Sequence, residues 1–193
     1  MKRISSICMI ALAACAFAAC HSNTQNNSVA KADSANKSKD TATASNTLAT
    51  NKDDASFAVE AANGGMAEVE LGKIAEQKAT NPRVKKFAEM MVMDHSKANE
   101  ELMALAKVKN ITLPKTCGPD EQKVMDDLNK KSGKDFDKAY VDNMVDDHKK
   151  DVKKFQDATK DCKDPDIKAF ATKTLPVLQT HLDSITAIQK SMK

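Results

Sequence analysis

The sequence lacks tryptophan, has one tyrosine, and carries only five glycines and five prolines in 193 residues. So few glycines and prolines exclude a collagen-like chain, and five cysteines are too few for a disulfide-dense mini-protein. No run beyond the first twenty residues is long and apolar enough for a spanning helix, so a multi-pass membrane protein is excluded. A strong excess of one charge is also missing. The net charge is +3, carried partly by Lys2 and Arg3, so no nucleic acid or other polyanion is implied as a partner. No nucleophile elbow, phosphate-binding glycine loop or Cys-x-x-Cys motif is present, which removes the signatures of ordinary hydrolase, nucleotide and thiol-redox chemistry. What remains is 30% charged residues and a hydrophobic share made mainly of Ala, Val, Leu and Met, a composition that favours helices.

The opening MKRISSICMIALAACAFAAC has two basic residues, an apolar run from Ile4 to Ala19 and small residues before cysteine. This is the make-up of an export signal, and it resembles a bacterial lipoprotein signal. Leu12-Ala13-Ala14-Cys15 offers one lipobox; Phe17-Ala18-Ala19-Cys20 allows a longer apolar run and places the polar His21 next. Cys20 is the expected lipidation site, with Cys15 the competing frame. Residues 1–20 are then a signal, and the expected location is the cell envelope, anchored by lipid to the outer membrane and facing the periplasm. Residues 21–52 are almost wholly Ser, Thr, Asn, Ala, Lys and Asp, and are expected to form a disordered polar tether.

From residue 53 the pattern changes to helical periodicity over about 54–79, 82–109, 134–160 and 165–191, with a shorter helix at about 119–131. Asn81-Pro82 and Asp164-Pro165 supply a capping side chain followed by proline at the first helical position. Residues 53–193 therefore read as one all-α domain. Two hairpins, joined by a long crossover containing the short helix, give a ferritin-like four-helix bundle. In that topology the second and third long helices end at the same pole, so Cys117 and Cys162 can approach, and in an oxidising compartment they are expected to form a disulfide.

Stepping along the seams by fours and threes exposes an interruption in each helix: Glu68, His95, His148 and His181. Each lies near the middle of its helix, and middles match in level whichever way the helices run. The four side chains should converge on one central layer. Buried together, a carboxylate and three imidazoles must pair with one another or share a cation. Their donor set suits one divalent ion of zinc, iron or manganese, and a hydrogen-bonded cluster without metal meets the same demand. Asp94 and Asp147 lie about 100° round the helix from the adjacent histidine, so each points toward a neighbouring helix's histidine or toward solvent. Asn63-Gly64-Gly65 inside the first long helix calls for close packing or a bulge, and Pro176 inside the fourth calls for a kink.

Four ordered segments carry a family resemblance: Phe57 to Gly72 (FAVEAANGGMAEVELG), Phe87 to His95 (FAEMMVMDH), Phe136 to His148 (FDKAYVDNMVDDH) and Leu175 to Leu182 (LPVLQTHL). Over about residues 55–190 the chain resembles a bacterial envelope family known only as a domain of unknown function, often labelled as outer-membrane proteins. The resemblance implies a ferritin-like fold and places Glu68, His95, His148 and His181 on the family's motif positions. The chain departs from di-iron enzymes of that fold, whose Glu-x-x-His pairs are absent here: Val92, Val145 and Leu178 stand three residues before the histidines. The first functional reading is thus a non-enzymatic envelope lipoprotein that binds a metal or small ligand at the central layer. The rivals are a metal-dependent enzyme handling oxidants and a structural or partner-binding module.

Overall fold

The computed structural model describes residues 27–42 and 51–192. These form six helices: α1 (Ser28–Ala42), α2 (Lys52–Lys78), α3 (Pro82–Val108), α4 (Pro119–Asn129), α5 (Gly133–Asp161) and α6 (Pro165–Ser191). There is no strand among the described residues, and no helix there is long and apolar enough to cross a membrane. Three of the four long helices start where capping chemistry dictates. Asn51, Asn81 and Asp164 each accept a backbone N–H of the first turn, and Pro82 and Pro165 follow two of them. The end of α3 is equally local in origin. Asn110 adopts φ 54°, and the Ile111 N–H reaches back 2.8 Å to the Ala106 carbonyl, closing a Schellman-type cap in which Ile111 and Ala106 share one apolar cluster.

Helix α2 packs most extensively on α3, and α5 on α6; α3 also meets α6, and α2 meets α5, so the four long helices surround a common interior. That interior is two apolar clusters. One, at the pole of the α2–α3 turn, includes Leu71, Val84, Phe87, Met91, Phe136, Tyr140, Met144 and Ile185. The other, at the pole of the α5–α6 turn, includes Phe57, Leu102, Phe155, Ile167, Phe170 and Leu178. The crossover therefore leaves α3 at one pole and begins α5 at the other. Each hairpin turn is held by a buried carboxylate of the other hairpin. Asp137 of α5 accepts the backbone N–H groups of Thr80 (2.9 Å) and Asn81 (2.9 Å), and Asp54 of α2 accepts those of Lys163 (3.0 Å) and Asp164 (2.6 Å).

Close approach of α2 and α3 explains Gly65 and Gly72 inside α2, which runs on as a regular helix through them. A Cβ on Gly65 would stand 2.2 Å from Asn99 Oδ1, and one on Gly72 would stand 2.7 Å from Val92 Cγ2 and 3.1 Å from the Ala88 carbonyl oxygen. Helix α6 likewise continues through Pro176.

Two expectations need correction. The expected tether contains helix α1, whose Ala32 is buried and which lies along the first half of the crossover. Asn36 donates to the Thr112 carbonyl (2.9 Å) and accepts its N–H (2.7 Å), Lys39 donates to the Asn110 carbonyl (2.8 Å), and Ser28 Oγ accepts the Lys115 N–H (2.6 Å). A crossover strand without secondary structure has open backbone groups, and polar side chains satisfy them without the apolar stripe that signals a packed helix. The expected disulfide is also absent: Cys117 and Cys162 are free thiols. Helices α3 and α5 do end at one pole, but by Cys117 the crossover has already run down along α2. The Gly118 N–H meets Asn63 at 2.7 Å, and Cys117 packs on the α2–α3 turn cluster while Cys162 lies in the opposite one. Burial pushes both thiols up, Cys162 to about 12. The expected lipidation site, Cys20, and its rival Cys15 lie outside the described residues.

Candidate metal centre

Glu68 on α2, His95 on α3, His148 on α5 and His181 on α6 meet in one layer between the two apolar clusters, each 5% exposed or less. Glu68 is the hub: Oε2 lies 2.8 Å from His95 Nδ1 and Oε1 lies 3.4 Å from His148 Nε2. His95 Nε2 is 3.3 Å from His181 Nδ1, and His181 Nε2 is 3.0 Å from Asp94 Oδ2. One nitrogen of each imidazole lies within 4.8 Å of one from each of the others. The Phe87 ring stands edge-on to His148 and His181 and closes the layer toward the α2–α3 turn. On the opposite side lies a cavity of about 20 Å³ lined by Glu68, His95, Asn99, Asp151 and Thr174 among others, room for about one water or one ion.

Burial sets the charge state. It raises the Glu68 carboxyl to about 8, with Asp147 adding to the effect and His148 and Lys154 opposing it. Burial likewise lowers His95 to about 4, and lowers His148 and His181. In the ion-free layer, then, the acid is protonated and the imidazoles are neutral. The hydrogen bonds follow one direction from that. His181 Nε2–H donates to Asp94, His95 Nε2–H donates to His181 Nδ1, and the Glu68 hydroxyl donates to His95 Nδ1. His148 Nδ1–H donates to the Met144 carbonyl at 2.9 Å, which fixes its tautomer and turns the Nε2 lone pair inward. Glu68 Oε1 and His148 Nε2 therefore face each other as two acceptors, and neither has a donor among the described residues. Reversing the Glu68 proton toward His148 would either set a His181 lone pair against the Asp94 carboxylate or make His181 a buried imidazolium.

All four expected residues are thus brought together. Of the two flanking aspartates, Asp94 does contact a neighbouring helix's histidine, His181. Asp147 instead groups with Glu68 and Asp151, one carboxylate oxygen of each lying within 4.8 Å of the others. Asp151 escaped the reading of the sequence, although a signal was present: steps of three and four from Val141 land on Met144, His148, Asp151 and Phe155. It is 8% exposed, and burial, then Glu68 and Asp147, push its carboxyl to about 8.

Among solved structures, the chain is similar to CopM in its Cu(II)-bound form (16% identity, TM-score 0.61, covering 72% of this chain and 97% of that one) and in its Cu(I)-bound form (16%, 0.61, 72% and 96%). It is also similar to a protein described as a secreted DUF305 protein from Streptomyces coelicolor (14%, 0.60, 72% and 93%). At such identities the likeness is one of fold. No curated protein matches the sequence. The model of a domain of unknown function, DUF4142, matches residues 38–188, which takes in all four long helices almost to the end of α6, and the chain belongs to that family.

Proposed function

We propose that this protein binds one first-row divalent metal ion at the Glu68, His95, His148 and His181 layer, in a bundle of ferritin-type connectivity exported to the cell envelope and anchored there through Cys20. The carrying observation is the pair of buried, facing acceptors, Glu68 Oε1 and His148 Nε2, with no donor between them. A cation is the partner that two opposed lone pairs lack. The spacing supports the same reading: ligand atoms sharing a tetrahedral ion with bonds of about 2.05 Å stand about 3.3 Å apart. The His95–His181 and His148–Glu68 nitrogen and oxygen atoms stand 3.3 and 3.4 Å apart. Three imidazoles with one carboxylate suit zinc or copper(II), and iron(II) and manganese(II) less closely. The copper-bound state of the structurally similar CopM makes copper the second ion to test.

Protein purified from its native envelope should carry about one equivalent of zinc or copper, and chelation should lower its melting temperature. Adding zinc or copper(II) to the stripped protein should restore it, and His148→Ala should weaken binding by at least about tenfold. A native protein without stoichiometric metal, whose melting temperature is unmoved by either ion, would defeat the reading. The layer would then be a hydrogen-bonded packing device running from Asp94 to Glu68. Anchoring is tested separately: labelled fatty acid should enter the wild type and be lost in Cys20→Ser.

A further inference from the structure

The imidazoles occupy one side of Glu68, and carboxylates occupy another. Asp147 and Asp151, one turn apart on α5, each bring an oxygen within 4.8 Å of a Glu68 oxygen and of each other. The cavity of about 20 Å³ opens between Glu68 and Asp151 and has the amide of Asn99 and the hydroxyl of Thr174 in its lining. Glu68 is 1% exposed, lines this cavity, and has in Oε1 an oxygen that receives no hydrogen bond. Asn99, which lines the cavity, occupies the space a Gly65 Cβ would fill.

We propose that Glu68, Asp147 and Asp151 form a second cation site, for a hard, oxygen-preferring divalent ion, alongside the imidazole site and sharing Glu68 with it. The proposal extends the metal-binding reading above and rests on it only for the shared residue. Its donor set is all oxygen, the set that manganese(II), magnesium and calcium favour over zinc or copper. Charge argues the same way. Three carboxyl groups this close in a partly dry site can all ionise together only where a cation lies among them. Lys154 stands 3.8 Å from Asp151 Oδ1 and is shared with Glu60 at 3.2 Å, near the surface, and Lys150 acts on Asp147. A divalent ion in the cavity would meet Glu68 and Asp151, which line it, with an oxygen of Asp147 within 4.8 Å of an oxygen of each, whereas each lysine reaches one edge of the cluster. Glu68 has two oxygens for two neighbours: Oε1 faces His148, and Oε2 faces His95. Each carboxylate oxygen has two lone pairs, so Glu68 can share a borderline ion with the imidazoles and a hard ion with Asp147 and Asp151.

The test uses the full chain, stripped of metal, loaded with one equivalent of zinc and then titrated with manganese(II). Electron paramagnetic resonance counts free manganese by its six-line signal. One manganese should bind beside the zinc, and its spin-echo modulation should show oxygen ligation without directly bound imidazole nitrogen. The double variant Asp147→Asn, Asp151→Asn should lose manganese affinity by about tenfold or more while keeping zinc. His148→Ala should do the reverse. Circular dichroism establishes that each variant is helical. Manganese that only displaces zinc one for one, manganese bound to imidazole nitrogen, or affinity unchanged in a folded double variant would each overturn the second site and leave the first standing. Manganese bound by oxygen in a protein that takes no zinc would overturn the first and leave the second.

Discussion

Asp137 receives two backbone N–H groups from the α2–α3 turn, 57 and 56 residues away in sequence, and Asp54 does the same for the α5–α6 turn across 109 and 110 residues. Truncating either strands buried donors, which is costlier than the bonds themselves are worth. Asp137→Ala should lower stability by about 3 kcal/mol, and Asp137→Asn by less because it keeps one acceptor; urea unfolding midpoints check both. Neither aspartate was legible in the sequence. Asp54 reads as an ordinary acidic residue of a first helical turn, and Asp137 as one just beyond it, where an acid is locally favourable for a different reason. The partner that buries it is too distant in sequence to leave a pattern. Glu68 and the three histidines were legible because each interrupts a periodic apolar series. Asp151 interrupts one too, but Val152 beside it lets the stripe be read as continuing without it.

At the scale of the element, the four long helices follow from the sequence to within about two residues at each end, since Asn-Pro, Asp-Pro and the Schellman cap at Asn110 are local chemistry. Helix α1 was not legible, because it packs on α2 through the small Ala32 and is otherwise held by polar bonds to the crossover, without an apolar stripe. The glycines of α2 separate two effects that the sequence alone merges. Gly64 has only ordinary contact distance beyond its missing Cβ, so Gly64→Ala should stabilise by up to about 1 kcal/mol through helix propensity. Gly72 faces a backbone carbonyl of α3 that cannot swing aside, so Gly72→Ala should push the two helices apart. It should destabilise by about 1–3 kcal/mol. Opposite signs for the same substitution, two turns apart on one helix, are read directly from thermal melts of the two variants.

For the whole molecule, the polar layer makes the stability of the metal-free protein depend on pH in both directions. Glu68 and Asp151, ordinarily near 4.5 and 3.8, sit near 8 when folded. The folded chain thus holds protons that the unfolded chain has released, and stability falls as pH rises from about 4 toward 8. The imidazoles run the other way. Held below 6.5, with His95 at about 4, they leave the unfolded chain binding more protons, so stability falls as pH drops from 6.5 toward 4. Above 6.5 the carboxylates act alone. The metal-free protein should therefore be most stable between about pH 5 and 6 and lose on the order of 2 kcal/mol per buried carboxylate by pH 8. A bound cation removes that loss, because it replaces the protons. Denaturant midpoints across this range, with and without zinc, check the sign.

Helices usually loosen from their ends, but here the ends are clasped, each turn by the other hairpin's aspartate, and the middle is the part whose cohesion depends on shared protons. Backbone amide exchange in the stripped protein at pH 8 should consequently be fastest near Glu68, His95, His148 and His181 and slower toward both poles, with metal restoring protection from the centre outward.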